Sequence, residues 1–157
     1  MRYFGTMIAV NDIATSRKFY EDLFGLEVFQ DYGINVSFSC GVSIQQDYDR
    51  IANFPKEKIL KEPNNMELYF EEIDFDGFLR TLKERSDIRY LHDVLEQGWG
   101  QRTVRFYDPD GHIIEVGEDI KAVIRRFLDS GMSKEETSKR MGMSVNDLEM
   151  LLAAGSP

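Results

Sequence analysis

The chain has 157 residues, enough for one domain with an appendage and for a sizeable core. A hydrophobic fraction of 42% with 12% aromatics predicts a folded protein. A net charge of −9 argues against a general nucleic-acid or anionic-membrane surface, which needs clustered Lys and Arg. The single cysteine, Cys40, excludes an internal disulfide, and its place in the strand-like run SFSCGVS predicts a buried, inert thiol. There is no signal pattern at the start and no apolar run of membrane-spanning length, so the expectation is a soluble cytoplasmic protein.

Residues 1–10 read as a strand, yet they contain Gly5 at a place where a side chain would normally line something. Asp12 is placed to cap a helix carrying Ile13, Phe19, Tyr20, Leu23 and Phe24, and Gly25 to stop it. Strands are expected at 26–30, 34–40 and 42–47, with turns at Tyr32-Gly33 and Cys40-Gly41. Residues 48–64 hold Pro55, Pro63 and Asn64-Asn65 and read as a connection with a helical turn or two. Glu67 to Glu72 then reads as a strand, and Asp74 caps a helix with Phe75, Phe78, Leu79 and Leu82 on one face. Strands follow at 88–92, 102–107 and 112–116, the last two joined by Asp108-Pro109-Asp110-Gly111.

The order strand, helix, three strands thus occurs twice. Asp12 and Asp74 are offset by 62 residues, and the same offset carries residue 5 onto Glu67. Residues 119–157 differ: three short helices are expected, with Gly131, the capping box Ser133 to Glu136, Gly142 and Ser144 as their punctuation. The last two resemble a helix-turn-helix. Their charges oppose DNA binding, because residues 119–157 balance six basic against six acidic side chains and the helix at 145–154 has Asp147 and Glu149 with no Lys or Arg.

FYDPDGHIIEV at 106–116, together with VNDIATSRKFYEDLFGLEV at 10–28, resembles the vicinal-oxygen-chelate superfamily. That group includes glyoxalase I, bleomycin- and fosfomycin-resistance proteins, extradiol dioxygenases and methylmalonyl-CoA epimerase. The resemblance covers residues 1–118 and implies an α+β fold. Two βαβββ modules, about 1–48 and 65–118, would form a curled mixed sheet with a central cleft, followed by a C-terminal three-helix extension at 119–157. In that family metal ligands come from the first and last strands of each module. MRYFGTM is similar to the first strand of bacterial glyoxalase I, where a metal-binding histidine stands at the place of Gly5. The matched positions that remain are Gln45 (or Gln46 in a slipped register), Glu67 and Glu115. These oxygen donors suit magnesium, manganese or calcium better than zinc or nickel, and without imidazole or thiolate they imply weak binding with water in the open positions.

Glu67 and Glu115 read as a metal pair, as a catalytic acid/base pair beside a carbonyl, or as partners of arginines. Arg102 and Arg105 have opposite strand parity, and Arg105 is preferred as the one that neutralises Glu115 or binds an anionic substrate. Trp99, between two glycines, reads as a lid or as packing, and Phe38, Tyr69 and Tyr107 as apolar walls or core. His92 falls at the end of a strand or in the following loop and reads as an exposed loop histidine or as an acid/base or ligand group at the cleft rim, and His112 as structural. The resemblance implies a small-molecule-binding protein with a degenerate metal site that is not a true glyoxalase I. Competing readings are a metal-dependent lyase, isomerase or dioxygenase, and a ligand-responsive regulator acting through the tail. The expected partners are a small-molecule ligand and a second copy of the chain, with neither nucleic acid nor membrane.

Overall fold

The computed structural model describes residues 1–154. The first half contains β1 (Thr6–Ala9), α1 (Ile13–Phe24), β2 (Val28–Asp31), β3 (Asn35–Phe38), β4 (Val42–Gln45) and the short α2 (Tyr48–Ala52). A 3-10 turn at Lys56–Lys58 leads to β5 (Glu67–Glu72), α3 (Phe75–Glu84), β6 (Arg89–Glu96), β7 (Arg102–Tyr107) and β8 (Ile113–Glu118). The tail is α4 (Ile120–Asp129), α5 (Lys134–Met141) and α6 (Val145–Ala153). The strands form two four-stranded mixed sheets, ordered β1-β4-β3-β2 and β5-β8-β7-β6. Strand for strand, the second order repeats the first, so the duplication expected from spacing is present in the topology.

The chain divides into two compact units, residues 1–66 with 107–113, and residues 67–106 with 114 onward. In the first, β1 runs parallel to β4 from Thr6 opposite Val42 to Ala9 opposite Gln45, and β3 runs antiparallel to β4. Ile8, Ile44 and Val36 therefore share one row, and they are buried together with Phe19, Tyr20 and Leu23 of α1. Asp12 caps α1 by accepting from Thr15 N, and Gly25 closes it in the left-handed region. In the second unit Leu68, Val104, Phe106, Ile114 and Val116 are buried, as are Phe75 and Leu82 of α3. Asp74 caps α3 by accepting from Gly77 N, the Asp12–Thr15 pair repeated 62 residues on. Burying one large apolar side chain is worth about 1.5–3 kcal/mol and a helix cap only about 1 kcal/mol, so apolar burial rather than capping carries each module.

The tail belongs to the second unit. Its three helices share a core of Val123, Ile124, Phe127, Met141 and Leu148, and the capping box of Ser133 and Glu136 is formed. It clasps the β6–β7 loop. Arg126 Nη2 donates to Gly100 O at 2.6 Å, Arg140 donates to Gly98 O, and Arg140 pairs with Glu96 at 2.9 Å. A Cβ on Gly100, whose φ is +90°, would overlap the Phe127 ring, so this glycine is what lets the loop lie on α4. Glu118 is buried between Arg102 and Arg126, and although burial alone would raise its pKa, the two guanidinium groups hold it below the usual carboxylate range.

Three expectations are corrected. Cys40 is exposed, because β3 ends at Phe38 and Cys40 falls in the turn before β4. His92 lies within β6, which continues to Glu96; as an edge strand exposed along nearly its whole length, β6 shows none of the alternation by which its end would be read. The first strand begins only at Thr6, whose N donates to Gly41 O at 2.9 Å. Among the described residues no helix is long and apolar enough to cross a membrane.

Candidate functional site

On the second sheet, the face turned away from α3 carries a charged row contributed by all four strands: Glu67 (β5), Glu115 (β8), Arg105 (β7) and His92 (β6). Arg105 Nε donates to Glu67 Oε2 at 2.8 Å, Arg105 Nη2 pairs with Glu115 Oε2, and Arg105 Nη1 lies 3.4 Å from His92 Nε2. The Glu115 side chain is 7% exposed and that of Arg105 24%, so their charges meet in a partly desolvated place where either one left without the other would be an uncompensated buried charge. Arg102 points to the other face, to Glu118 and Asp76, as strand parity requires. Buried Gln101 organises the same region: its Nε2 donates to Tyr69 OH and Glu118 O, and its Oε1 accepts from Trp99 Nε1 at 3.0 Å. Burial and the Glu71 carboxylate push Tyr69 up to about 12, against the opposing hydrogen bond from Gln101. Trp99 itself is exposed. Nothing in the sequence singles out Gln101, since a buried amide in a hairpin has no periodic signature.

Gln45 and Gly5 belong to the first unit. Gln45 pairs with Ala9, four positions along the strand from Gly5, a separation of roughly 13 Å. Its amide is turned into its own sheet: Oε1 accepts from Asn35 Nδ2 at 3.0 Å, and Nε2 donates to Ile34 O and Gln46 O. A Cβ built on Gly5 would overlap the Gly41 carbonyl oxygen, so glycine stands there because two backbone segments touch. Phe38 is buried against Tyr20 with ring centroids 5.9 Å apart, and it also borders a cavity of about 310 Å3. Tyr107 is buried in the first unit and donates to Asn64 Oδ1 at 3.1 Å.

The β7–β8 turn supplies a second cluster, also in the first unit. His112 Nδ1 lies 2.9 Å from Asp108 Oδ2, which also accepts from Tyr20 OH at 2.8 Å. Asp110 accepts from Asn11 N, Asn11 Nδ2 and Ser16 Oγ. Burial alone would lower His112, but the hydrogen bond and charge of Asp108, with Asp110 behind it, raise it above its ordinary value. Burial alone would raise Asp108, but His112 and Tyr20 hold it below its own. The His112 ring borders two cavities of about 590 and 240 Å3 that share Ala9, Ile59 and Leu60 as walls.

Residues 3–121 match the family model described as a glyoxalase-like domain. The chain belongs to the glyoxalase-like family. Among solved structures, a protein of unknown function from Agrobacterium tumefaciens str. C58 is 36% identical, with a TM-score of 0.66 over 76% of this chain and 95% of that one. A lactoylglutathione lyase from Agrobacterium tumefaciens is 25% identical, with a TM-score of 0.51 over 74% of this chain and 92% of that one. A glyoxalase/bleomycin resistance protein/dioxygenase family enzyme from Burkholderia phytofirmans PsJN is 12% identical, with a TM-score of 0.66 over 75% and 98%, a likeness of fold alone. No curated protein matches. The glyoxalase-like match ends at residue 121, so most of the tail lies beyond it.

The positions that the resemblance assigns to metal can be tested one by one. Glu67 and Glu115 are both engaged by Arg105, the Gln45 amide is engaged by its neighbours, and Gly5 offers none. Among the described residues no group of three or more His, Cys, Asp or Glu is arranged to hold a metal ion. As it stands, the donor set is matched to a guanidinium rather than to a resident metal.

Proposed function

We propose that this glyoxalase-like protein is a small-molecule-binding protein with a degenerate metal site, and that it is not a glyoxalase I. One observation carries the reading: the Arg105 guanidinium bonds both Glu67 and Glu115, the two carboxylates that the family resemblance assigns to metal. Its single positive charge is shared between the two, and an incoming ion would have to displace it. A metal would have to offset the loss of both Arg105 pairs before it could bind. What remains on this face is Arg105, His92 and the Tyr69–Gln101–Trp99 chain, groups that recognise a small polar or planar molecule by hydrogen bonds and stacking.

The similarity to a lactoylglutathione lyase supports a competing reading, a metal-dependent lyase, isomerase or dioxygenase using Gln45, Glu67 and Glu115. Two measurements separate the readings. Metal analysis of protein purified without chelator should give well under one equivalent, and hemithioacetal isomerisation with added nickel or zinc should show no turnover. Stoichiometric metal that disappears in Glu115→Ala, together with turnover at ordinary enzyme rates, would establish the competing reading.

A further inference from the structure

The larger cavity of the first unit shares no residue with the Glu67–Arg105–Glu115 row and has a chemistry of its own. Its volume of about 590 Å3 is that of a small-molecule site. Ala9 and Val10 at the end of β1 and Ile59 and Leu60 of the connecting segment make it apolar, while Lys56 and Lys61 place cationic groups around it and His112 an imidazole. Glu57 and Asp110 also line it, but the Asp110 carboxylate is already engaged by the two Asn11 donors and the Ser16 hydroxyl. The His112 side chain is 15% exposed. Its Nδ1 is tied to Asp108, and Nε2 makes no hydrogen bond among the described residues. An imidazole held by a carboxylate at Nδ1 presents Nε2 in one fixed direction, as a donor once the ring is protonated. Tyr20 fixes the carboxylate in turn. Tyr20, Asp108 and His112 thus form a supported relay that ends in one unsatisfied polar atom beside an apolar cavity.

We propose that this cavity binds an amphipathic monocarboxylate, its head group on His112 Nε2 and the Lys56 and Lys61 ammonium groups and its body against Val10, Ile59 and Leu60. The site is independent of the row on the second sheet. The charge pattern selects the class: Asp108 and Asp110 favour the protonated form of His112, Lys56 and Lys61 add positive charge at the rim, and of the two lining carboxylates Asp110 is already engaged, which leaves Glu57 without a hydrogen bond or ion pair among the described residues. A neutral apolar molecule would leave His112 Nε2 unsatisfied, and a bare anion would leave the aliphatic wall exposed to water.

Octanoate is the probe, titrated into the full 15N-labelled chain without metal. The chain has two histidines, so their ring nitrogens are separable in a long-range 1H–15N correlation spectrum. Saturable binding should move the His112 ring signals and leave those of His92 in place. Octan-1-ol should bind about tenfold more weakly for want of the charge-assisted bond, and inorganic phosphate should not compete. Leu60→Asp and Lys61→Ala, both at exposed residues, should weaken octanoate severalfold, while Lys83→Ala on α3 should not. The proposal fails if octanoate does not saturate, if His112 is unmoved, or if octanol binds as well as octanoate. Because the readout is one ring in the first unit and no metal is present, its failure is distinct from that of the degenerate-site reading.

Discussion

The two modules share a strand order but not a chemistry. On the first sheet, the face away from α1 carries Ala9, Gln45 and Asn35 in one row and Met7, Ser43 and Ser37 in the next, and the polar members bond each other: Asn35 to Gln45, Ser37 to Ser43. On the second, the corresponding face carries Glu67, Glu115, Arg105 and His92. Duplication fixed the scaffold, because the buried rows Ile8, Ile44, Val36 and Val104, Ile114, Val116 must each meet a helix. The other faces carry no such constraint and diverged, one to neutral amides and hydroxyls, the other to a row of charges paired through Arg105.

Equivalent positions should therefore respond differently to one substitution, and this is the largest expected effect. Gly5→Ala pushes a Cβ into the Gly41 backbone and should cost about 3 kcal/mol. Glu67→Ala, 62 residues on, removes a partly exposed ion-pair partner and should cost less than about 1 kcal/mol. Urea unfolding of both variants measures the contrast. Equal losses would show that the two first strands are equally constrained.

Next in size is Arg105→Gln, expected to destabilise by about 2 kcal/mol, below the fully buried figure because the guanidinium is partly solvated. Adding Glu115→Gln should recover a good part of that loss, since the carboxylate left without its partner is then gone. If Arg105 stands in for a metal, the single variant should also gain a thermal shift with manganese that wild type lacks.

Much of this architecture is legible because local signals agree with the tertiary ones. Asp12 and Gly25 bracket α1, Asp74 opens α3, and Ser133, Gly142 and Ser144 set out the tail as spacing predicts. β6 hides its true length because an edge strand with neither face buried has no period to read. Cys40 shows how a short shift in strand end moves a side chain from core to turn. The site is less legible. The parity of Arg102 and Arg105 is visible, but that one guanidinium bridges two carboxylates depends on strands distant in sequence. The Asp108–His112 pair is four residues apart within the DPDGH run, a spacing any reader can see, yet the cavity beside it is walled by residues 56–61, which have no pattern at all.

That pair gives the third test, on pH. His112 is held above its ordinary value of 6.5, so its contribution is complete below 6.5 and is lost as pH rises through the raised folded value. Asp108 is held below its ordinary 3.8, so its contribution is complete above 3.8 and is lost as pH falls through the lowered folded value. The pairing is thus strongest between those limits. His112→Asn should cost about 1 kcal/mol there and flatten the alkaline limb of the stability profile. Thermal melts from about pH 4 to about pH 9 read this directly. An unchanged limb would mean that another group controls it.

The smallest expected energy belongs to the tail, and it bears on how the second module differs from the first. Among the described residues, the second has a hairpin loop clasped by appended helices and the first has none, and that loop carries the chain's single tryptophan. Intrinsic tryptophan emission therefore reports on Trp99 alone. Arg140 ties Gly98 and Glu96 to α5, so Arg140→Ala frees one side of the loop. As a half-exposed pair it should cost only about 0.5 kcal/mol in stability. The emission should nonetheless shift to the red and quench more readily with acrylamide, because the loop that holds the indole on Gln101 has lost an anchor. A spectral change far larger than the stability change would identify the tail as what holds Trp99 against Gln101. An unchanged spectrum would mean that Gln101 and the hairpin hold it without help.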